Sequence, residues 1–335
     1  MNSKYAFLML SILGSLISFS IAAMEQKRVT IWIHGTRGTA FPLFFINFSK
    51  GLSAIERAFC YCPPGLHAAH EISPELHQRK NIDTLSRIDS AQFPFEHCYL
   101  FGWSGNLSIA ARTKAAKNLF EAVHTLVTQY RTNGIEPLIT VITHSHGGNV
   151  ALNAAAYASS NNPSFTIDRL VLLGTPIQQH TAHYANHPFF NSIYSIHSHA
   201  DYTQVADPQK LQSVRHDLQD AWQKKSCAPL KKALRDMWQI PLFSHRHFKK
   251  NSKIKQICVS WSDYAPLSKK DFVLFERGEP IMRLFMKCCN WKGRGVLHIE
   301  MILPLFLERL PNILHDIDDT RHSLAPDIDR HMVLS

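Results

Sequence analysis

The stretch Val141-Ile142-Thr143-His144-Ser145-His146-Gly147-Gly148-Asn149-Val150 restricts the fold of this 335-residue chain more than any other part of it. A β-branched run, Leu138 to Ile142, ends in a Ser-x-Gly-Gly turn, and an Ala-rich segment of helical composition, Gly148 to Ser160, begins at once. A strand that passes straight into a helix calls for a sheet beside the strand and a second layer to bury the helix. So tight a turn lifts one hydroxyl, that of Ser145, clear of the sheet. It also aims the N–H groups of the following helix at negative charge that develops nearby. Gly147 and Gly148 leave space where side chains would strike the neighbouring strand and helix. The run has the strand–turn–helix form of a G-x-S-x-G nucleophile elbow, but Thr143 stands at its first position.

Further strands fit around this one. Arg28–Ile33, His97–Phe101, Arg169–Leu173, Ser192–Ile196 and Ile254–Val259 are short β-branched or aromatic runs, several closed by turn residues, and Pro137 opens the strand before Ser145. Between them, Ala115, Leu119, Val123, Leu126 and Tyr130 recur at helical spacing until Gly134 stops the helix. Strands alternating with helices predict an α/β fold: a mostly parallel central sheet with helices on both faces and its sites at the carboxyl ends of the strands. A helical insertion, about 207–250, precedes the last of these strands. It carries two apolar stripes, one of Leu211, Val214, Leu218, Ala221 and Trp222, the other of Leu230, Leu234, Met237 and Trp238. Stripes at helical spacing pack most often on a core; the competing role is an interfacial or lid element.

Composition sets the remaining bounds. The chain is 45% hydrophobic and 19% charged, as globular domains are, and it holds no 20- to 50-residue repeat. Lys4 precedes an uncharged run from Tyr5 to Ala23 that ends in small residues. Residues 1–23 therefore read as a secretory signal peptide, with an uncleaved anchor as the rival, and the following domain as exported. The domain spans 24–320, and 321–335 reads as a C-terminal tail. Of the net charge of +10, a net of +8 lies between Asp207 and Lys255, twelve Lys or Arg against four Asp. Such a segment suits an anionic membrane surface, or is simply a solvated face. Nucleic acid is not expected as a partner, because the basic segment lacks an aromatic stacking motif. Seven cysteines leave at least one thiol unpaired within a monomer, and their spacing matches no zinc knuckle. His180, His183 and His187 would share a face only in a helix, and the Asn and Pro around them argue for a loop, so no metal is assigned.

A second motif, His34-Gly35-Thr36-Arg37-Gly38, closes the first strand. Gly102-Trp103-Ser104-Gly105-Asn106 closes another and reads as a structural turn, with Asn106 or Ser108 capping the next helix. These motifs, with Arg112, His144–Gly148 and Leu173-Gly174-Thr175-Pro176, resemble the α/β-hydrolase superfamily over residues 28–300, and within it the lipase-like group that includes GPI inositol-deacylase-like proteins. The resemblance implies an eight-stranded sheet, cofactor-free ester hydrolysis, and a Ser, acid, His order along the chain. Ser145 is then the nucleophile and Asp201 the acid, with Asp207 and Asp263 as alternatives. The base is His298, on a loop entering a final helix, with His315 and His322 behind it. The residues after His-Gly and after the nucleophile, Thr36 and His146, supply the oxyanion N–H groups. Such a chain is a serine esterase or lipase acting on a lipid-like ester. The alternative is a non-catalytic membrane- or protein-binding protein on the same scaffold.

Overall fold

The computed structural model describes residues 24–36, 61–205, 207–224, 231, 235, 239–249, 253–261, 296, 298–319 and 330–334. Its centre is an eight-stranded sheet of β1 (Glu25–Ile33), β2 (Gly65–Ala68), β3 (Cys98–Gly102), β4 (Ile135–His144), β5 (Ile167–Leu173), β6 (Phe190–His197), β7 (Ile254–Trp261) and β8 (Arg330–Leu334). The spatial order is β2-β3-β1-β4-β5-β6-β7-β8, with β2 antiparallel to β3 and every other pair parallel. This is the expected α/β architecture, with the sheet covered on both faces.

Alternation along the strands divides the core in two. Val29, Ile31 and Ile33 of β1, with Val141 of β4 and Leu170 and Leu172 of β5, face one side. There they meet α2 (Ile109–Thr132) and α3 (Gly147–Asn161). Trp32, Ile142, Val171 and Leu173 face the other side, packed with Ile82 and Leu85 of α1 (His77–Ile88) and Ile313 and Leu314 of α5 (Leu310–Asp319). The polar insertion between β6 and β7 contains α4 (Gln209–Lys224).

The stretch around His180 and His183, read as a loop, forms two short helical turns, Gln179–Ala182 and His183–Asn186, and four further features differ from the sequence reading. Pro137 lies inside β4 rather than opening it. There β4 pairs only with β1, since its pairing to β5 begins at Thr140, so the missing N–H breaks no ladder on the other side. Helix α1 has no clear apolar stripe in the sequence because its buried face includes Gln78, Asn81 and Thr84. The stretch 321–335, read as a tail, contributes β8 at the sheet edge, pairing with β7 from Arg330 to Leu334; the insertion therefore precedes the next-to-last strand, not the last. The fourth is α4. Leu211, Leu218 and Trp222, expected on the core, are exposed. The second stripe, Leu230, Leu234, Met237 and Trp238, lies outside the described residues, as do the signal segment, Asp263 and His322.

Candidate active site

The turn between β4 and α3 holds Ser145 at φ +52°, a left-handed conformation that an L residue adopts only when its surroundings impose it. Two bonds fix the turn: Ser145 N–H donates to Leu173 O at 2.9 Å, and Gly148 N–H to Ser145 O at 3.0 Å. The glycines have the close contacts their positions imply. A Cβ on Gly147 would sit 2.7 Å from His34 O, and one on Gly148 would overlap Thr175. Thr143, the departure at the first motif position, is fully buried and donates its hydroxyl to Val171 O on β5 at 3.1 Å. Its branch is accommodated by a bond to the neighbouring strand.

The end of β1 lies against this turn. A Cβ on Gly35 would come within 2.8 Å of Ser145 Cβ, so the His34-Gly35-Thr36 segment approaches the serine backbone to side chain. Trp103 positions that segment. Its backbone N–H donates to His34 Nε2 at 3.1 Å and its indole N–H to His34 O at 2.8 Å. With Nε2 accepting, Nδ1 carries the proton and donates to Gly35 O at 2.7 Å. The Gly102-Trp103 turn thus supports the loop beneath the serine, and Ser108 caps α2 through Ala111 N–H at 3.2 Å.

Asp201 follows β6, and His298 enters the last helical segment. The His298 Nδ1–H donates to Asp201 Oδ2 at 2.7 Å, which leaves Nε2 as an acceptor. The Asp201 side chain is fully buried and that of His298 is 14% exposed. Asp201 Oδ1 accepts Gln204 N–H at 2.9 Å, and Arg246 binds the Asp201 carbonyl at 2.9 Å. Gly174, at φ +56°, joins this pair to the serine: a Cβ there would lie 2.9 Å from Asp201 Oδ2 and 3.0 Å from His298 Nδ1. Its neighbour Leu173 is the residue whose carbonyl holds Ser145. His144 packs on His298, with ring centroids 4.6 Å apart, and donates Nε2–H to His298 O at 3.1 Å. Burial, and then the neighbouring His298, holds His144 well below the usual imidazole range, so it stays neutral.

His146, next after the serine, opens onto a buried polar network that the sequence did not disclose. Its Nε2–H faces Asp207 Oδ1 at 3.2 Å, and its Nδ1 accepts from Asn149 at 3.3 Å. Asp207 Oδ2 also accepts Gln178 Nε2 at 2.6 Å and the Ser244 hydroxyl at 2.5 Å, and Gln212 Nε2 binds Oδ1. The carboxamide oxygens of the same two glutamines accept from Arg112 Nη2, at 3.1 and 2.8 Å. A buried cation and a buried anion are therefore linked through two carboxamides. Burial alone would raise the Asp207 carboxyl, but His146, Arg112 and Ser244 hold it well below the ordinary range. Burial lowers His146 against the pull of Asp207, and lowers Arg112 to about 10, still cationic at neutral pH.

The structure thus places Ser145 and Asp201 after the carboxyl ends of β4 and β6 and bonds His298 to Asp201, with His146 next to the serine in the turn and Gly35 packed against it. Asp207, the nearest rival acid, serves His146 instead. His315, a rival base, is exposed on α5 and pairs with Asp319 at 3.1 Å. The network residues 112, 178, 207, 212 and 244 are scattered along the chain, and their only signal was Arg112 beside the Gly102-Trp103 motif.

Neither a protein-family model nor a curated protein sequence matches the chain. Solved structures similar to it include a Pyrobaculum calidifontis esterase, at 14% identity and a TM-score of 0.35 over 88% of this chain and 78% of that one. An arylesterase is 12% identical with a TM-score of 0.36, covering 88% and 75%. A putative esterase from Staphylococcus aureus is 12% identical with a TM-score of 0.31, covering 91% and 78%. Likenesses this distant add nothing to the chemistry read from the site.

Proposed function

We propose that this chain, an α/β-hydrolase by its sheet order and its strand–serine–helix turn, is a serine ester hydrolase that works through Ser145, His298 and Asp201. The observation that carries this reading is the 2.7 Å bond from His298 Nδ1 to a buried Asp201, beside the Leu173-Gly174 turn that also anchors Ser145. A carboxylate on Nδ1 fixes the imidazole with Nε2 free to take a proton and stabilises the imidazolium that results.

In this mechanism Ser145 Oγ attacks the ester carbonyl carbon while its proton passes to His298 Nε2. The carbonyl oxygen becomes an oxyanion held by the N–H groups of Thr36 and His146, each such donor being worth about 2.7–4 kcal/mol in the transition state. The C–O bond to the alcohol breaks, the alcohol leaves with the proton from His298, and an acyl-serine remains. Water, deprotonated by His298, then releases the carboxylic acid and restores the serine. No cofactor enters these steps. The substrate in this reading is a lipid-like carboxylic ester met after export. Residues 1–23 support the export, and the basic segment 207–255 supports the lipid-like substrate.

Hydrolysis of p-nitrophenyl acetate and butyrate tests the reaction. Ser145→Ala and His298→Ala should each lower kcat by at least about a thousandfold with the fold intact. Unchanged turnover in Ser145→Ala would place the chemistry elsewhere.

A further inference from the structure

Helix α4 presents its apolar stripe to solvent. Leu211, Leu218 and Trp222 are 55%, 47% and 84% exposed, whereas Gln209, Ser213 and Asp217 on the opposite face are buried. Hydrogen bonds on the inner side set this orientation. Gln212 binds Arg112 and Asp207; Gln209 accepts Gln179 N–H at 2.9 Å and donates to Phe243 O at 2.5 Å. Rolling the helix to hide its leucines would break these bonds inside a low-dielectric network, where unpaired polar groups cost most. Single exposed apolar residues are ordinary, but a stripe at positions 211, 214, 218 and 222 held outward by buried polar bonds is not.

Charge along the helix is sorted in the same direction. Arg215 is exposed beside the stripe and Lys210 lies half-buried, while Asp217 points inward and Asp220 is half-buried. The exposed residues of α4 therefore include a base and no acid, within a segment of net +8. No described helix is long and apolar enough to cross a membrane. An apolar stripe edged by cations on a helix of this length lies in an interface, with its ring and leucines at the acyl boundary and its bases among anionic headgroups.

We propose that α4 docks the protein on anionic lipid bilayers through Leu211, Val214, Leu218 and Trp222, with Lys210 and Arg215 at the headgroups. Because α4 starts two residues after Asp207, the docked helix is bonded to the residue that holds His146. That the surface also supplies the ester rests on the ester-hydrolase reading above; the docking does not.

The test is local to Trp222. The full-length chain and its Trp222→Phe variant are titrated with vesicles of equal parts phosphatidylglycerol and phosphatidylcholine carrying brominated acyl chains, and the difference emission reports Trp222 alone. The expected result is a blue shift and quenching of that difference, lost with phosphatidylcholine alone. Arg215→Glu should weaken the response by at least about fivefold and Leu218→Ser by about tenfold. A Trp222 signal unchanged by vesicles, or quenched equally without anionic lipid, overturns the proposal. So does a Trp222 shielded without lipid in a concentration-dependent dimer, which would make the stripe an interface between copies. Turnover of a water-soluble ester by the same proteins, without vesicles, should be unchanged by both substitutions. Absent turnover with Trp222 quenched defeats the hydrolase reading alone, and intact turnover with Trp222 unquenched defeats the docking alone.

Discussion

Gly174 is where packing and chemistry meet in a single residue. Its φ of +56° disfavours any side chain, and a Cβ would press on both Asp201 Oδ2 and His298 Nδ1. Gly174→Ala should therefore lower kcat at least about tenfold by displacing the pair, with a stability loss of roughly 1–2 kcal/mol. Steady-state kinetics beside thermal melts separate the two effects. Asp201→Asn leaves the shape nearly unchanged but offers His298 the wrong partner, and should lower kcat by about 10⁴. Equal activity in that variant would remove Asp201 from the mechanism. The Asp201–His298 pairing was legible because the resemblance implies a Ser, acid, His order and strand ends restrict where each can fall. Gly174 drew attention only as part of a motif; its necessity arises from side chains 27 and 124 positions away, which no local pattern encodes.

At the scale of elements, periodicity told which residues share a face but not what that face meets. In α2 the stripe of Leu119, Val123 and Leu126 packs on the sheet as read. In α4 an equally regular stripe faces water, because Gln209, Gln212 and Ser213 have better partners inside. Helix α1 shows the converse: Gln78 and Asn81 are buried there, and the apolar pattern dissolves. Capping was readable. Ser108→Ala removes the acceptor for Ala111 N–H and should cost about 1 kcal/mol, seen as a lower melting temperature with unchanged kcat. Unchanged stability would mean that water replaces the cap without loss.

Across the whole molecule, the buried polar groups set the response to acid. Burial holds His144 and His146 below the ordinary imidazole range, and burial with the adjacent His247 pushes His197 down to about 3. The unfolded chain binds those protons near pH 6.5 and the folded chain resists them. The stability these residues carry is therefore full above about pH 6.5 and is lost as pH falls below it, each by up to about 1.4 kcal/mol per pH unit. Asp207, whose folded pKa is depressed, adds stability above about pH 4 that is lost on further acidification. The melting temperature should fall steadily from pH 7 to pH 4; a constant or rising value would contradict these assignments. Asp207→Ala leaves Arg112 as a buried cation without its anion and should destabilise the fold by about 3–5 kcal/mol, measured by urea unfolding at pH 7.

The proposed mechanism requires Ser145 to be an activated nucleophile. The most direct measurement is mass-spectrometric mapping of the folded protein after treatment with a fluorophosphonate, which phosphonylates a serine only where a base and an oxyanion site assist. A single adduct on Ser145, absent in His298→Ala, is expected. A folded protein that stays unmodified, or an adduct on another serine, would contradict it.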